Sequence, residues 1–319
     1  MSRLHIPSEA MGYVDAIRAK YSIGDIMSYL TEASQLRFSV IGEPITDEYV
    51  YVHPLGKAAK DNLISYAIDL ESLDNCYRGG ASIVAAHLSE AVQQVDTHLL
   101  PSEMIVKRRY IERASNQKIF ALMPEGTMVP PLPIEVLERE DLGRLVVADF
   151  GHGLVTAQNT KVISNRAEWL GLTVQSNAAN WGFNLLTKWL RADFVVVDEI
   201  ELRLACGERD CSLEILLEAQ RDRMGARVFA VTLGHRGCLI LDEQGFHGIP
   251  ALVAGAVDRM GTGDAFLAWS APLACVGAPG DMVGLIGNLA GGLEASMVGN
   301  QPVTRRMMLQ KVAEIFGEA

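Results

Sequence analysis

The sequence predicts an α/β fold of three layers, α/β/α, with a mostly parallel central sheet and a small β lid beside it. Three observations predict it. The short β-branched runs Arg144-Leu-Val-Val-Ala-Asp149, Phe194-Val-Val-Val197 and Val228-Phe-Ala-Val-Thr232 suit strands buried on both faces. Helical patterns at 158–171, 181–191 and 211–224 alternate with them at the spacing of βαβ units. Residues 43–75 and 102–122 instead alternate polar and apolar positions, as in Glu48-Tyr-Val-Tyr-Val52, and carry few helical signals.

From the start of the chain, Ile17, Tyr21, Ile23, Ile26, Met27 and Leu30 recur at helical spacing before the apolar run Phe38-Ser-Val-Ile-Gly42. A helical N-terminal extension over 1–36 is therefore expected, followed by a first strand. With no repeat or Pro/Ser-rich linker, residues 37–319 read as one domain, with the lid segments at about 43–75 and 102–122 inserted into it.

The chain has 319 residues, 49% of them apolar, which is enough to bury a large core. A formal net charge of −11 opposes nucleic acid or an anionic membrane as partner. No apolar run is long enough for a membrane span, and the first residues carry no secretory signal. The five cysteines are scattered and in no CxxC arrangement, as expected of idle thiols in a reducing cytoplasm. One basic cluster, Lys107-Arg108-Arg109, suits a small anion.

The segment with chemical content is Asp258-Arg-Met-Gly261-Thr-Gly-Asp264, which runs directly into an apolar helical pattern. Backbone N–H groups of Gly261, Thr262 and Gly263 at a helix N-terminus would face an anion such as a phosphoryl group in transfer. A carboxylate at Asp264 would accept the proton of an attacking hydroxyl. The same residues also make a tight turn with a capping aspartate, a reading that needs no ligand.

Other segments carry a resemblance that covers residues 38 to about 312. Gly42-Glu-Pro-Ile-Thr-Asp47, Arg78-Gly79-Gly80-Ala-Ser-Ile83, Asp149-Phe-Gly-His152-Gly, Asp198-Glu-Ile-Glu201 and Val231-Thr232-Leu-Gly234 stand ahead of the Gly-Thr-Gly-Asp264 segment. In this order they resemble the motifs of ribokinase-like PfkB carbohydrate kinases. The resemblance implies a ribokinase-like fold and ATP-dependent, Mg²⁺-assisted phosphorylation of a sugar, with Asp264 as base. It implies that Asp47, Gly79, Gly80 and Asp149 orient the sugar, and that Asp198, Thr232, Gly234, Arg259 and Asn288 serve the nucleotide. It further implies that Glu201 and Asp198 act on the metal through water, and that the lid pairs two subunits in a homodimer.

Within that family the passages Ile105 to Phe120, the Asp149 segment, and Gly287-Asn288 through Gly299 are similar to heptose-phosphate kinases of the bacterial ADP-heptose pathway. That likeness implies a heptose 7-phosphate acceptor whose phosphate Lys107 and Arg109 would bind. Two residues depart from the pattern: Ile83 replaces an asparagine that contacts the sugar, and Asp198 replaces the asparagine of the Asn-x-x-Glu motif. No His-x-Gly-His motif is present, so nucleotidyl transfer is not expected. The departures keep two other readings open: a nucleotide or sugar-phosphate sensor that has lost turnover, and a kinase acting on a nucleoside or an unphosphorylated hexose.

Overall fold

The computed structural model describes residues 6–57, 59–60, 63–102, 105–124 and 128–317. Residues 1–5 of the expected extension, 58, 61, 62, 103 and 104 of the expected lid, and 318–319 at the end of the main domain lie outside these.

The chain begins with helices α1 (Met11–Lys20) and α2 (Ile23–Ser34). They are separated at Ser22, whose hydroxyl accepts the Asp25 N–H while Asp25 accepts the Ser22 N–H, a reciprocal cap that restarts the helix. Strand β1 (Arg37–Gly42) leads through Glu43 into β2 (Pro44–Lys57), and β3 (Ile64–Ile68), β4 (Cys76–Gly80) and helix α3 (Ala81–Ala91) follow. Next come β5 (Gln94–Asp96), β6 (Ile105–Glu112), β7 (Gln117–Leu122), α4 (Ile134–Arg139), β8 (Arg144–Asp149), α5 (Ala157–Arg166) and β9 (Trp169–Val174). The remainder is β10 (Phe194–Asp198), α6 (Glu199–Cys206), α7 (Leu213–Met224), β11 (Val228–Thr232), β12 (Cys238–Asp242), β13 (Gly245–Ile249), α8 (Thr262–Cys275), α9 (Gly280–Ala295) and α10 (Arg305–Phe316).

The main sheet has the order β13-β12-β11-β10-β9-β8-β1-β5. All its pairings are parallel except those of the β11-β12-β13 edge. Helices α8 and α9 pack on each other, with α3 also against α8, while α6 and α7 cover β10 and β11. Helix α8 is buried from Ala265 to Ala274. A helix apolar on every side belongs inside a layered fold. Helices α1 and α2 contribute Val14, Ile17, Ile26 and Leu30 to the same hydrophobic core as the sheet.

The alternating segments form a second sheet, β3-β2-β6-β7, with β4 paired to β2. Strand β2 departs from the end of β1 through one residue, so this sheet stands over the carboxyl ends of the main strands. Among the described residues, no helix is long and apolar enough to cross a membrane.

Two helical expectations are corrected. The pattern over 158–171 ends at Arg166, and Trp169–Val174 forms the buried strand β9. Residues 181–191 form a loop with one short 3-10 turn at Leu186–Lys188. There Asn177 and Asn180 donate to Phe150 O, and Asn184 to Asp149 O, so side-chain amides hold the backbone in place of helical bonds.

Candidate active site

The N-terminal turn of α8 lies at the carboxyl ends of β9, β10 and β11, where open parallel sheets hold their ligands. Gly261 sits there in the left-handed region, at φ 84°, and lines the cleft. A Cβ at this position would lie 2.4 Å from Asn300 Oδ1, so only glycine closes the turn this tightly. Thr262 Oγ1 donates to Arg259 O at 3.3 Å, which folds the Arg259 segment against the turn.

Together Asp198, Glu201, Thr232, Arg259, Gly261, Thr262, Gly263 and Asp264 line one cleft of about 210 Å³. Eight residues expected from separate motifs thus converge, joined by Phe150 and Met260 from the same motifs and by Gln175, which carries no local sequence signal. A larger cavity, about 460 Å³, opens at the other end of β11 beside Val228 and Asp242 and contains none of these groups.

The Asp264 carboxyl is pushed up to about 7, by burial first and then by Asp47, with Lys107 opposing both. Lys107 is only 8% exposed, and among the described residues its ammonium has no hydrogen-bond or ion-pair partner. Burial lowers its ammonium pKa, against the attraction of Asp47, Glu43 and Asp264. Its register neighbour on β2 is Asp47. Asp47 is bound by Arg109, Nη2 to Oδ1 at 2.7 Å, and by Asn300 Nδ2 at 3.2 Å. Gly79 makes room for this carboxylate, since a Cβ there would stand 2.6 Å from Asp47 Oδ2. Gly80, at φ 58°, starts α3 as its N-cap.

Several expected contacts take other roles. Asp149 is fully buried, with Oδ2 accepting from Lys188 Nζ at 2.7 Å and from Trp189 Nε1 at 2.9 Å, and Oδ1 from Asn184 at 3.2 Å. It anchors the 184–189 loop. Asn288 is 9% exposed; its Oδ1 accepts the Leu252 N–H and its amide points at Cys238 Sγ. It fastens the segment after β13 to α9. Arg109 is committed to Asp47, which leaves Lys107 as the cation of the pair available to an anion. Gly234, at φ 59°, begins a 3-10 turn after β11 and does not line the cleft. Ile83 is fully buried in α3.

Glu43, which the sequence reading passed over, is fully buried in the joint between the two sheets. Its carboxylate accepts the N–H groups of Phe150 at 3.0 Å, His152 at 2.9 Å and Leu154 at 3.3 Å. It thereby shapes the loop after β8. Burial and the nearby Asp149 nonetheless raise its pKa. His152 on that loop is neutral, its pKa lowered to about 4 by burial and by Lys107. Its Nε2 has no partner.

Asp198 and Glu201 share a reciprocal cap: Asp198 Oδ1 accepts the Glu201 N–H at 2.7 Å and Glu201 Oε2 accepts the Asp198 N–H at 2.8 Å. Burial and the Asp198 charge push Glu201 up to about 8, and burial raises Asp198 as well. Two carboxylates that resist ionisation in one cleft fit a divalent cation held partly by phosphate oxygens, the usual manner of Mg²⁺. Among the described residues no cluster of three or more His, Cys, Asp or Glu side chains forms a complete cage.

Residues 172–279 match the family described as pfkB family carbohydrate kinase. Fructokinase-1 of Zea mays is 34% identical over 84 residues, 26% of this chain and 25% of that protein. The chain therefore aligns with about a quarter of that curated relative's length. Phosphofructokinase-2 from Escherichia coli, solved with substrates and products, superposes with a TM-score of 0.65 at 13% identity, covering 88% of this chain and 99% of that one. The ribokinase of Arabidopsis thaliana, solved with ribose and ATP, gives 0.60 at 15% identity, covering 87% and 99%. The fold is ribokinase-like.

Proposed function

We propose that this chain, with its ribokinase-like fold and a central segment matching the pfkB family carbohydrate kinases, is an ATP-dependent sugar kinase. The observation that carries this reading is the position of Asp264: a carboxylate poised near neutrality, in the first turn of α8 and in one cleft with Gly261, Thr262 and Gly263. In the reaction an acceptor hydroxyl oxygen forms a bond to the γ-phosphorus of ATP while the bond to the β,γ-bridging oxygen breaks, and ADP departs. Asp264 takes the hydroxyl proton. The N–H groups of Gly261, Thr262 and Gly263 hold the charge on the group in transfer. Thr232 and Arg259 border the nucleotide side. Asp198 and Glu201 would hold Mg²⁺, directly or through water, and the cation would neutralise phosphate charge.

For the acceptor we favour a phosphorylated sugar such as a heptose 7-phosphate. Support comes from Lys107, a buried cation without a partner, beside the neutral and unpartnered His152. Arg109 serves this site indirectly by orienting Asp47. A hexose or nucleoside acceptor is the second reading, favoured by Ile83, which removes a polar contact from the sugar side. The outer face of the lid exposes Ile64, Ile68, Phe120 and Leu122, each at 46% or more, and we propose that it pairs with a second copy.

The test is ADP release with Mg·ATP and a panel of sugars and sugar phosphates. Asp264→Asn is expected to lower turnover by about 10³-fold or more with ATP affinity little changed. Near-normal turnover in that variant rejects the base assignment. Compared on the alkaline plateau, where Asp264 is ionised with or without the lysine, Lys107→Ala is expected to impair only phosphorylated acceptors; equal loss on all acceptors favours the second reading.

A further inference from the structure

Behind the phosphoryl-binding turn lies a group of buried oxygens with nothing to bind. Glu294 on α9 is fully buried, and neither carboxyl oxygen has a hydrogen-bond partner. Asn300 is 5% exposed, and its Oδ1 is also unpartnered. Both side chains touch the same point. A Cβ built on Gly261 would stand 2.4 Å from Asn300 Oδ1 and 3.2 Å from Glu294 Oε1, so the two oxygens are no farther apart than those two distances together.

The orientation of the Asn300 amide is fixed by its other end. Nδ2 donates to Asp47 Oδ2 at 3.2 Å, and turning the amide over would set an oxygen against that carboxylate. Oδ1 must therefore face Glu294 and Gly261, and it needs a donor. An ionised Glu294 supplies none. It would also be a buried charge facing Asp258, from the segment before the turn, and Asp264 on α8, with only Lys118 from β7 to offset them. One proton removes the buried charge and supplies Asn300 Oδ1 with its donor, because a carboxylic acid is a donor as well as an acceptor.

We propose that Glu294 is a positioning residue for the phosphoryl-binding turn: it is kept protonated and donates its O–H to Asn300 Oδ1. Asn300 is thereby locked against Gly261 on one side and Asp47 on the other. The chain Glu294 to Asn300 to Asp47 to Arg109 links the turn that holds the transferring group to the sugar-side strands. Gly261 is the contact point, and the absence of a Cβ lets the amide reach it. The role of the turn in this proposal rests on the kinase reading; the protonation of Glu294 does not.

Two measurements test it. Infrared difference spectra between the wild-type protein and Glu294→Gln at about pH 8, where most of Asp264 is ionised, are expected to show loss of a protonated-carboxyl C=O stretch. Loss of an ionised carboxylate band instead overturns the proposal, whether or not any sugar is phosphorylated. With an acceptor in hand, Glu294→Gln keeps an N–H donor and is expected to retain kcat and KM within about threefold, while Glu294→Ala loses about tenfold or more in kcat with little change in ATP affinity. A Gln variant as impaired as the Ala variant shows that the carboxylate itself is needed, for instance to hold a cation, and refutes the assignment. If Glu294→Ala fails to fold, the Gln variant and the infrared band decide alone.

Discussion

Lys118 Nζ on the lid strand β7 lies 2.7 Å from Oδ1 of Asp258, three residues ahead of Gly261. Tyr49 on β2 donates to the other oxygen of the same carboxylate at 2.6 Å. Asp258 in turn accepts the Met260 N–H at 3.1 Å and the Gly299 N–H at 3.3 Å. A single carboxylate, 5% exposed in its side chain, therefore joins the small sheet to the turn. Lys118→Met keeps the stem and removes the charge. It is expected to lower stability by about 1–3 kcal/mol in denaturant titration, since a nearly buried carboxylate loses its charged partner. Turnover should fall more than ATP affinity, because the altered contact sets the turn and not the nucleotide pocket.

The neutral value of Asp264 gives a signed pH profile. On the proposed kinase reading Asp264 accepts a proton only when ionised, so turnover should rise with pH through a midpoint near 7. Asp47 raises that value and Lys107 lowers it. Asp47→Asn should therefore move the acid limb of kcat to lower pH and Lys107→Met to higher pH. Rate profiles of the two variants that shift in the same direction would contradict the charge arrangement.

The parts legible in the sequence are those whose chemistry is local. The Gly-Thr-Gly-Asp264 turn shows because a left-handed glycine, a helix start and an acid fall within four positions. The strands β8, β10 and β11 show because a strand buried on both faces must be continuously apolar. The surroundings of Asp149 are not legible, because no spacing reveals that Lys188 and Trp189, some forty residues on, close over it. The loop at 181–191 looked helical because apolar spacing ignores asparagines that compete for backbone groups. Glu294 was hidden in an apolar run, where only its missing partners give it away.

Glu43 holds three loop N–H groups with one buried side chain. Glu43→Ala leaves those donors facing an apolar gap and is expected to lower stability by about 3 kcal/mol or more, seen as a lower urea midpoint at unchanged slope. Glu43→Gln keeps one acceptor oxygen and should lose roughly half as much. The two variants separate the acceptor role from a need for charge, because a purely charge-based role would make them equal.

The buried acid on α9 also fixes how stability depends on pH. Glu294 is held up to about 9, by burial first and then by Asp258 and Asp264, against 4.5 when unfolded. Between those values the folded chain keeps a proton that the unfolded chain has released. Stability on this account is fully present below the unfolded value and falls as pH rises towards 9. Asp264 and Glu201 add slopes of the same sign up to about 7 and about 8, so wild-type protein should lose stability steadily from mildly acid to alkaline pH. Glu294→Gln removes only the Glu294 contribution. Urea midpoints measured at about pH 6 and about pH 9 should thus converge in that variant relative to wild type, because an amide does not titrate. An undiminished difference would mean that Glu294 is ionised in the fold, and that its oxygens are held by something other than a proton.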